Sequence, residues 1–215
     1  MSDLKISVIY CFPDILVSTY IPLARRFVDS YMRFPPGLCD HEIIVVVNCG
    51  RDGIKDYSRI FSPLSCDFVM HDNQGKDIGA FQVLSRRLDC DLMICLGAPV
   101  HVCRSGWLDR IRNVYEQEGP GLYGPWAFHQ PKPHIRTTAF WLPPQLFRSY
   151  PHEIYNGNRY EFEHGDRSIY AHATLQGMGT YQVTWDGCYA NKDWHAVTAA
   201  NTLFLDQHTD RSKLQ

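Results

Sequence analysis

The chain has 215 residues, 45% of them hydrophobic, and a formal net charge of -2. That is enough apolar sequence for a sizeable core, while the absence of a basic excess argues against sequence-independent nucleic-acid binding. No run approaches the ~20 apolar residues of a membrane span, and MSDLKISVIYCF enters a strand without the long apolar core of a leader.

Eight cysteines occur without a CxxC pair, several inside apolar runs, as Cys95 is in DLMICLG. Buried, reduced thiols in a cytoplasmic protein are the expectation.

Residues 4–12, LKISVIYCF, are short, apolar and rich in β-branched residues, which predicts a buried strand. DILVSTYIPLARRFVDSYMRF predicts a helix, stopped by Pro35-Pro36-Gly37. HEIIVVVNCG predicts a central parallel strand, GIKDYSRIFSPL a short helix or turn, and CDFVMHDN a third strand. DIGAFQVLSRRL predicts a helix with Asp77 near its N-cap, where an acid is favoured. CDLMICLGAPVHV predicts a fourth strand, and SGWLDRIRNVYEQEG a helix capped by Ser105.

Strictly alternating strands and helices predict an α/β fold with a mostly parallel, doubly wound sheet. The second half changes character. GLYGPWAF and IRTTAFWLP predict strands of a mixed sheet, PPQLFRSYP a short helix, EFEHGDRSIYAHATLQGMG one helix ending at Gly177, and TYQVTWDG a last strand. The tail is aromatic and then polar. The expectation is one domain over 1–215, in two halves that divide at about residue 112.

The polar loop His71-Asp72-Asn73-Gln74-Gly75-Lys76-Asp77 falls at a strand-to-helix junction, where ligands commonly bind in open α/β sheets. The same residues also make an ordinary Asx turn and helix cap with a solvated lysine. RYEFEHGDRS carries three acids, Glu161, Glu163 and Asp166. One carboxylate suits general-base work on a hydroxyl, while all three also favour a helix N-terminus electrostatically. No GxxxxGK[ST] loop, GxSxG elbow, GxGxxG turn or HExxH pair is present, and the ten histidines are scattered.

DNQGKDIGAF, with Asn73-x-Gly75-x-Asp77 between third strand and helix, resembles inverting GT-A glycosyltransferases, and in particular those of rhamnan synthesis. The resemblance spans about residues 4–190 in element order. It implies a GT-A-like, Rossmann-like sheet, with a nucleotide-binding half over about 1–112 and a mixed-sheet acceptor half over about 113–215. It further implies transfer of a sugar from a UDP- or dTDP-sugar to a glycan or glycoprotein, with inversion, in polysaccharide or protein-linked glycan synthesis.

On that resemblance Tyr10 and Phe12 would wall the base, and Asn48 would read it beside Arg51. Asp72, Asn73, Gly75, Lys76 and Asp77 would hold ribose and phosphate, with Gly97, Ala98, Pro99 and Arg136 facing the donor. Thr137 and Trp141 are further donor-facing candidates, and Trp141 also fits a core position. Glu163 would be the base, with Asp166 sharing its helix face and Glu161 in reserve. The family's Asp-x-Asp is missing, since that place reads CLGAPVHV. A manganese or magnesium ion would therefore take His101 and Asp77 as ligands, or Asp72. Without it Lys76, Arg136, Lys192, Arg211 or Lys213 would neutralise the diphosphate. The rival readings are a non-catalytic nucleotide- or glycan-binding domain and a nucleotidyltransferase. The latter lacks its glycine-rich basic loop after the first strand. A module of a larger protein is a further expectation.

Overall fold

The computed structural model describes residues 4–14, 17–48, 58–197, 201–207 and 209. Its first half runs β1 (Ile6–Pro13), α1 (Val17–Arg33), β2 (Glu42–Asn48), α2 (Ser58–Phe61), β3 (Asp67–His71), α3 (Lys76–Ser85), β4 (Leu92–Leu96), β5 (His101–Val102) and α4 (Trp107–Glu118). The second half runs β6 (Gly121–Gly124), β7 (Ala127–Phe128), β8 (His134–Ile135), β9 (Ala139–Leu142), α5 (Pro144–Arg148), α6 (Arg159–His164), α7 (Ile169–Leu175), β10 (Gly179–Val183), β11 (Cys188–Ala190), a 3-10 turn over Asn191–Ala196, and β12 (Phe204–Leu205).

Eight strands form one sheet in the order β11-β10-β6-β9-β4-β1-β2-β3. β1 pairs in parallel with β2 and β4, and β2 with β3. β9 runs antiparallel to both β4 and β6. The expected mostly parallel α/β sheet with a mixed second half is therefore the fold.

Strand alternation explains the two layers of core. Val8, Tyr10 and Phe12 of β1 pack with α1 and α4 through Phe27, Tyr31, Trp107 and Ile111. Ile9 and Cys11 face the other side, with Phe81, Phe147, Phe162 and Ile169 from α3, α5, α6 and α7. A strand with apolar side chains on both faces must be covered on both, so helices occupy both.

Chain order reverses direction in the sheet between β1 and β4, which leaves a crevice at the carboxyl ends of the strands. The register aligns those ends: Pro13 is opposite Asn48, and Asn48 opposite His71. Gly97, just past β4, donates its N–H to the Thr138 carbonyl at 2.8 Å, which brings the approach to β9 to the same crevice.

Three expectations differ. The helix foreseen over EFEHGDRSIYAHATLQGMG is two helices, α6 and α7. Gly165 is extended, Ser168 caps α7 by accepting from the Ala171 N–H at 3.2 Å, and Glu161 Oε1 accepts from the Arg167 N–H at 3.0 Å. Asp166 lies in that turn, so it does not share a helix face with Glu163. The cap of α4 is Gly106, at φ 78°, and not Ser105. The polar tail returns to the core: β12 pairs with β5, and Leu203 and Phe204 are buried.

Candidate functional site

The loop after β3 is shaped by its own polar groups. Asp72 Oδ1 accepts from the Gln74 N–H at 3.0 Å, and Asn73 takes φ 65°, so the chain turns sharply into α3. Gly75 follows at φ 69°; a Cβ there would come within 2.4 Å of the Ile154 carbonyl. Its lack of a side chain is thus required by the packed segment before α6.

α3 begins at Lys76 and carries Asp77 in its first turn. The Asp77 Oδ1 accepts from the Ile78 N–H at 3.1 Å and forms an ion pair with Arg159 Nη2. Its side chain is 24% exposed, through the mouth of the crevice. Burial among protein atoms pushes its carboxyl above the usual range, against the pull of the Arg159 guanidinium and the Ile78 N–H, and Glu163 adds to the rise.

Arg159 and Glu163 both come from α6. They are four residues apart and so share a face. Six residues cannot hold a helix alone. Phe162 anchors this one: it is 1% exposed, stacks on Phe147 with centroids 5.8 Å apart, and meets Tyr150 edge-on at 5.1 Å.

The resulting cleft, of about 230 Å3, is lined by Cys11, Pro13, Tyr20, Asn48, Asn73, Lys76, Asp77, Ala98, Pro99 and Arg159. Whole small-molecule sites are roughly 300–1,000 Å3, so this volume suits part of a ligand. Asn48 is 1% exposed and held from two sides. Its amide donates to Cys11 Sγ at 3.0 Å, and His71 Nδ1 lies 2.9 Å from its Oδ1. Lys76 is exposed at the cleft and has no ion-pair partner among the described residues.

The acid of α6 is fixed as firmly. Glu163 Oε2 accepts from the Thr137 hydroxyl at 2.5 Å, and Oε1 from the Thr137 N–H at 3.3 Å. His164 Nε2 stands 3.8 Å from Oε1, and His134 faces His164 with ring centroids 4.3 Å apart. Burial holds the His164 imidazole below its ordinary range, opposed by Glu163 and helped by His134.

The structure thus brings Asn48, Asn73, Lys76, Asp77, Ala98 and Pro99 into one cleft, with Glu163 alongside. Others of the expected set lie apart. Tyr10 and Phe12 are fully buried on the opposite face of β1; Tyr10 stacks on Phe27 and donates to the Ala98 carbonyl at 2.8 Å. The cleft wall comes instead from Cys11, Pro13 and Tyr20, because alternate residues of a strand face opposite ways. Gly97 is buried behind Ala98, close to Asp77 Oδ2. Asp72 is exposed beside the cleft.

Arg136 is paired with the fully buried Asp206, Nη2 to Oδ2 3.0 Å, and lies over the Trp126 ring, apart from the residues that line the cleft. Trp141 is core. Glu161 holds the turn to α7, Asp166 pairs with Lys132 at the surface, and Lys192 is exposed. Arg51, Arg211 and Lys213 lie outside the described residues.

His101 lines a separate depression of about 700 Å3 with Arg25, Arg26, Arg33 and Leu205. That depression is larger than the cleft and shares no lining residue with it. Of the two, the smaller cleft is the candidate site because it sits where the sheet changes direction. Among the described residues, the donors that line the cleft do not fit a divalent ion. Gly97, Ala98 and Pro99 bring no anionic oxygen, and the Asp77 carboxylate is occupied by a guanidinium.

No known family's sequence profile matches the chain, and no curated protein sequence matches it. Solved structures do. The mannosyltransferase PcManGT from Pyrobaculum calidifontis, in complex with GDP-Man and Mn2+, superposes with a TM-score of 0.54 at 12% identity, over 70% of this chain and 48% of that one. A putative glucose-1-phosphate thymidylyltransferase from Bacillus anthracis, in complex with a sucrose, superposes with a TM-score of 0.54 at 11% identity, over 80% and 84%. The fold is GT-A-like. The likeness is one of fold, and the chain spans about half the length of the mannosyltransferase it matches. The carboxyl ends of β1, β2 and β4 lie where the sheet changes direction, the edge at which open α/β sheets commonly bind ligands, and Asp77 and Arg159 line the cleft there.

Among the described residues the sequence reading missed Arg159, Thr137 as the holder of Glu163, and the pair His134 and His164. Arg159 had one usable signal, its spacing of four from Glu163 at a helix start. The histidines had none, because the two segments meet only in three dimensions.

Proposed function

We propose that the chain transfers a sugar from a nucleotide-activated donor, a UDP- or dTDP-sugar, to a hydroxyl of a glycan or glycoprotein. The observation that carries this is the Glu163 carboxylate, fixed through both oxygens by Thr137 beside the Asp77–Arg159 cleft of a GT-A-like sheet.

In this reading the diphosphate enters the cleft. Lys76 and Arg159 supply its positive counter-charge in place of a metal ion. Arg159 keeps Asp77 as its fixed partner and has a buried Nε–H with no acceptor among the described residues. A preorganised cation at a leaving group stabilises the charge that develops in the transition state. The acceptor hydroxyl attacks the anomeric carbon, the bond from that carbon to the diphosphate oxygen breaks, and Glu163 takes the hydroxyl proton. Attack opposite the leaving group inverts the anomeric centre and makes this a hexosyltransferase of the single-displacement kind.

A general base contributes roughly 10²–10⁴-fold to rate. Glu163→Gln keeps the shape and removes the basicity. Release of nucleoside diphosphate from a UDP- or dTDP-sugar in the presence of glycan acceptor should fall by about that factor, with donor affinity kept. Full activity in this variant would remove Glu163 from the reaction. The second reading, a non-catalytic nucleotide- or glycan-binding domain, is favoured by the missing acid at Gly97-Ala98-Pro99. It predicts nucleotide binding with no turnover in the wild type.

A further inference from the structure

Beside Glu163 lies a second chemistry that the transfer reading does not use. His134, Glu163 and His164 each offer a ligand atom, and the three atoms lie within 4.8 Å of one another. No hydrogen bond joins any two of them among the described residues. Glu163 Oε1 and His164 Nε2, at 3.8 Å, are too far apart for one.

Two of the three members are held from outside by hydrogen bonds. His134, 4% exposed, has Nδ1 2.8 Å from the Lys132 carbonyl, so that its Nδ1–H donates and its Nε2 lone pair is directed away. A backbone carbonyl on the second ring nitrogen is how proteins orient metal-binding histidines. Thr137 orients the carboxylate. His164 Nδ1 is buried without a hydrogen-bond partner. Two imidazoles with one carboxylate match the ligand set that binds zinc with a fourth position left open, whereas magnesium and calcium prefer all-oxygen sites.

We propose that His134, Glu163 and His164 form a three-ligand zinc site. Ligands around a tetrahedral zinc at about 2.0–2.2 Å stand roughly 3.3–3.6 Å apart. The trio therefore closes by about 1 Å on binding, which rotation of the 22% exposed His164 side chain can supply. On the transfer reading above, a bound zinc occupies the lone pairs that Glu163 needs as a base, so zinc suppresses transfer.

The test uses the full chain stripped with EDTA, without donor or acceptor, and so stands apart from the transfer reading. Zinc is titrated against a chromogenic chelator, and cobalt(II) is added to a second sample for its absorption spectrum. One equivalent should bind, with a cobalt spectrum of nitrogen and oxygen ligation and no thiolate charge-transfer band. His134→Ala, His164→Ala and Glu163→Gln should each weaken zinc at least about tenfold, with folding checked by circular dichroism. His172→Ala, elsewhere on the surface, should not. Zinc affinity unchanged across the three ligand variants, or a thiolate band, would overturn the site. Wild-type transfer unaffected by one equivalent of bound zinc would overturn the suppression.

Discussion

Arg159, at the start of α6, forms an ion pair with Asp77, in the first turn of α3, across 82 residues of chain. The pair joins the strand-to-helix loop of the first half to the acid-bearing helix of the second, and its side chains are only 28% and 24% exposed. Truncating one partner leaves the other charge in poor solvation. Arg159→Ala and Asp77→Ala should each cost about 1–3 kcal/mol, and the double variant less than their sum. Urea denaturation of the four proteins measures this. Additive losses would mean that the pair contributes no coupling.

Thr137 is expected to act on rate through Glu163. Thr137→Val removes the hydroxyl that Glu163 Oε2 accepts from. One lost hydrogen bond to a charged group, worth about 1.5–3 kcal/mol, should lower kcat by about tenfold or more while nucleotide affinity stays the same. Thr137→Ser should restore most of the rate. Equal loss in Ser and Val would indicate a packing role instead.

Gly75→Ala should destabilise the chain more than Gly106→Ala. Both glycines have positive φ, 69° and 78°, but only Gly75 has a neighbour in the way, the Ile154 carbonyl. Gly106→Ala carries the conformational cost alone, about 1–2 kcal/mol. Gly75→Ala adds a clash with backbone that cannot yield cheaply. Urea midpoints of the two variants give the comparison, and equal midpoints would contradict it.

His71 makes stability pH-dependent. Burial holds its pKa below the ordinary 6.5, with Asp72 opposing and Arg87 reinforcing. The unfolded chain takes up its proton near 6.5 and the folded chain only lower, so the unfolded state binds more protons in between. Stability should fall as pH drops from 6.5 through the folded value, and His172, shifted the same way by burial, adds to the slope. Denaturation at about pH 7.5 and about pH 5.5 tests it. His71→Gln should show a shallower fall.

The alternation of strands and helices made the sheet legible, because buried β-branched runs such as ISVIYCF and IIVVV leave few other assignments. The loop at 71–77 was legible for a related reason: its turn residues are local. Side-chain direction was less so. Tyr10 and Phe12 look like a ligand wall in one dimension, yet the pleat turns them into the core and gives the cleft to Cys11 and Pro13. Arg136 looks like a free cation, yet the tail folds back and delivers Asp206 to it. Glu163 and Asp166 look like helix neighbours, yet Gly165 and the Ser168 cap separate them. In each case the deciding contact is distant in sequence.

The central claim is that the Asp77–Arg159 cleft holds a nucleoside diphosphate without a metal ion. Calorimetric titration of UDP, dTDP, GDP and CDP in EDTA measures it most directly. UDP or dTDP should bind, with the same affinity when manganese replaces EDTA, and Arg159→Ala should weaken it at least about tenfold through loss of a charge-assisted contact. No binding of any nucleotide in EDTA, or affinity that appears only with manganese, would contradict the account.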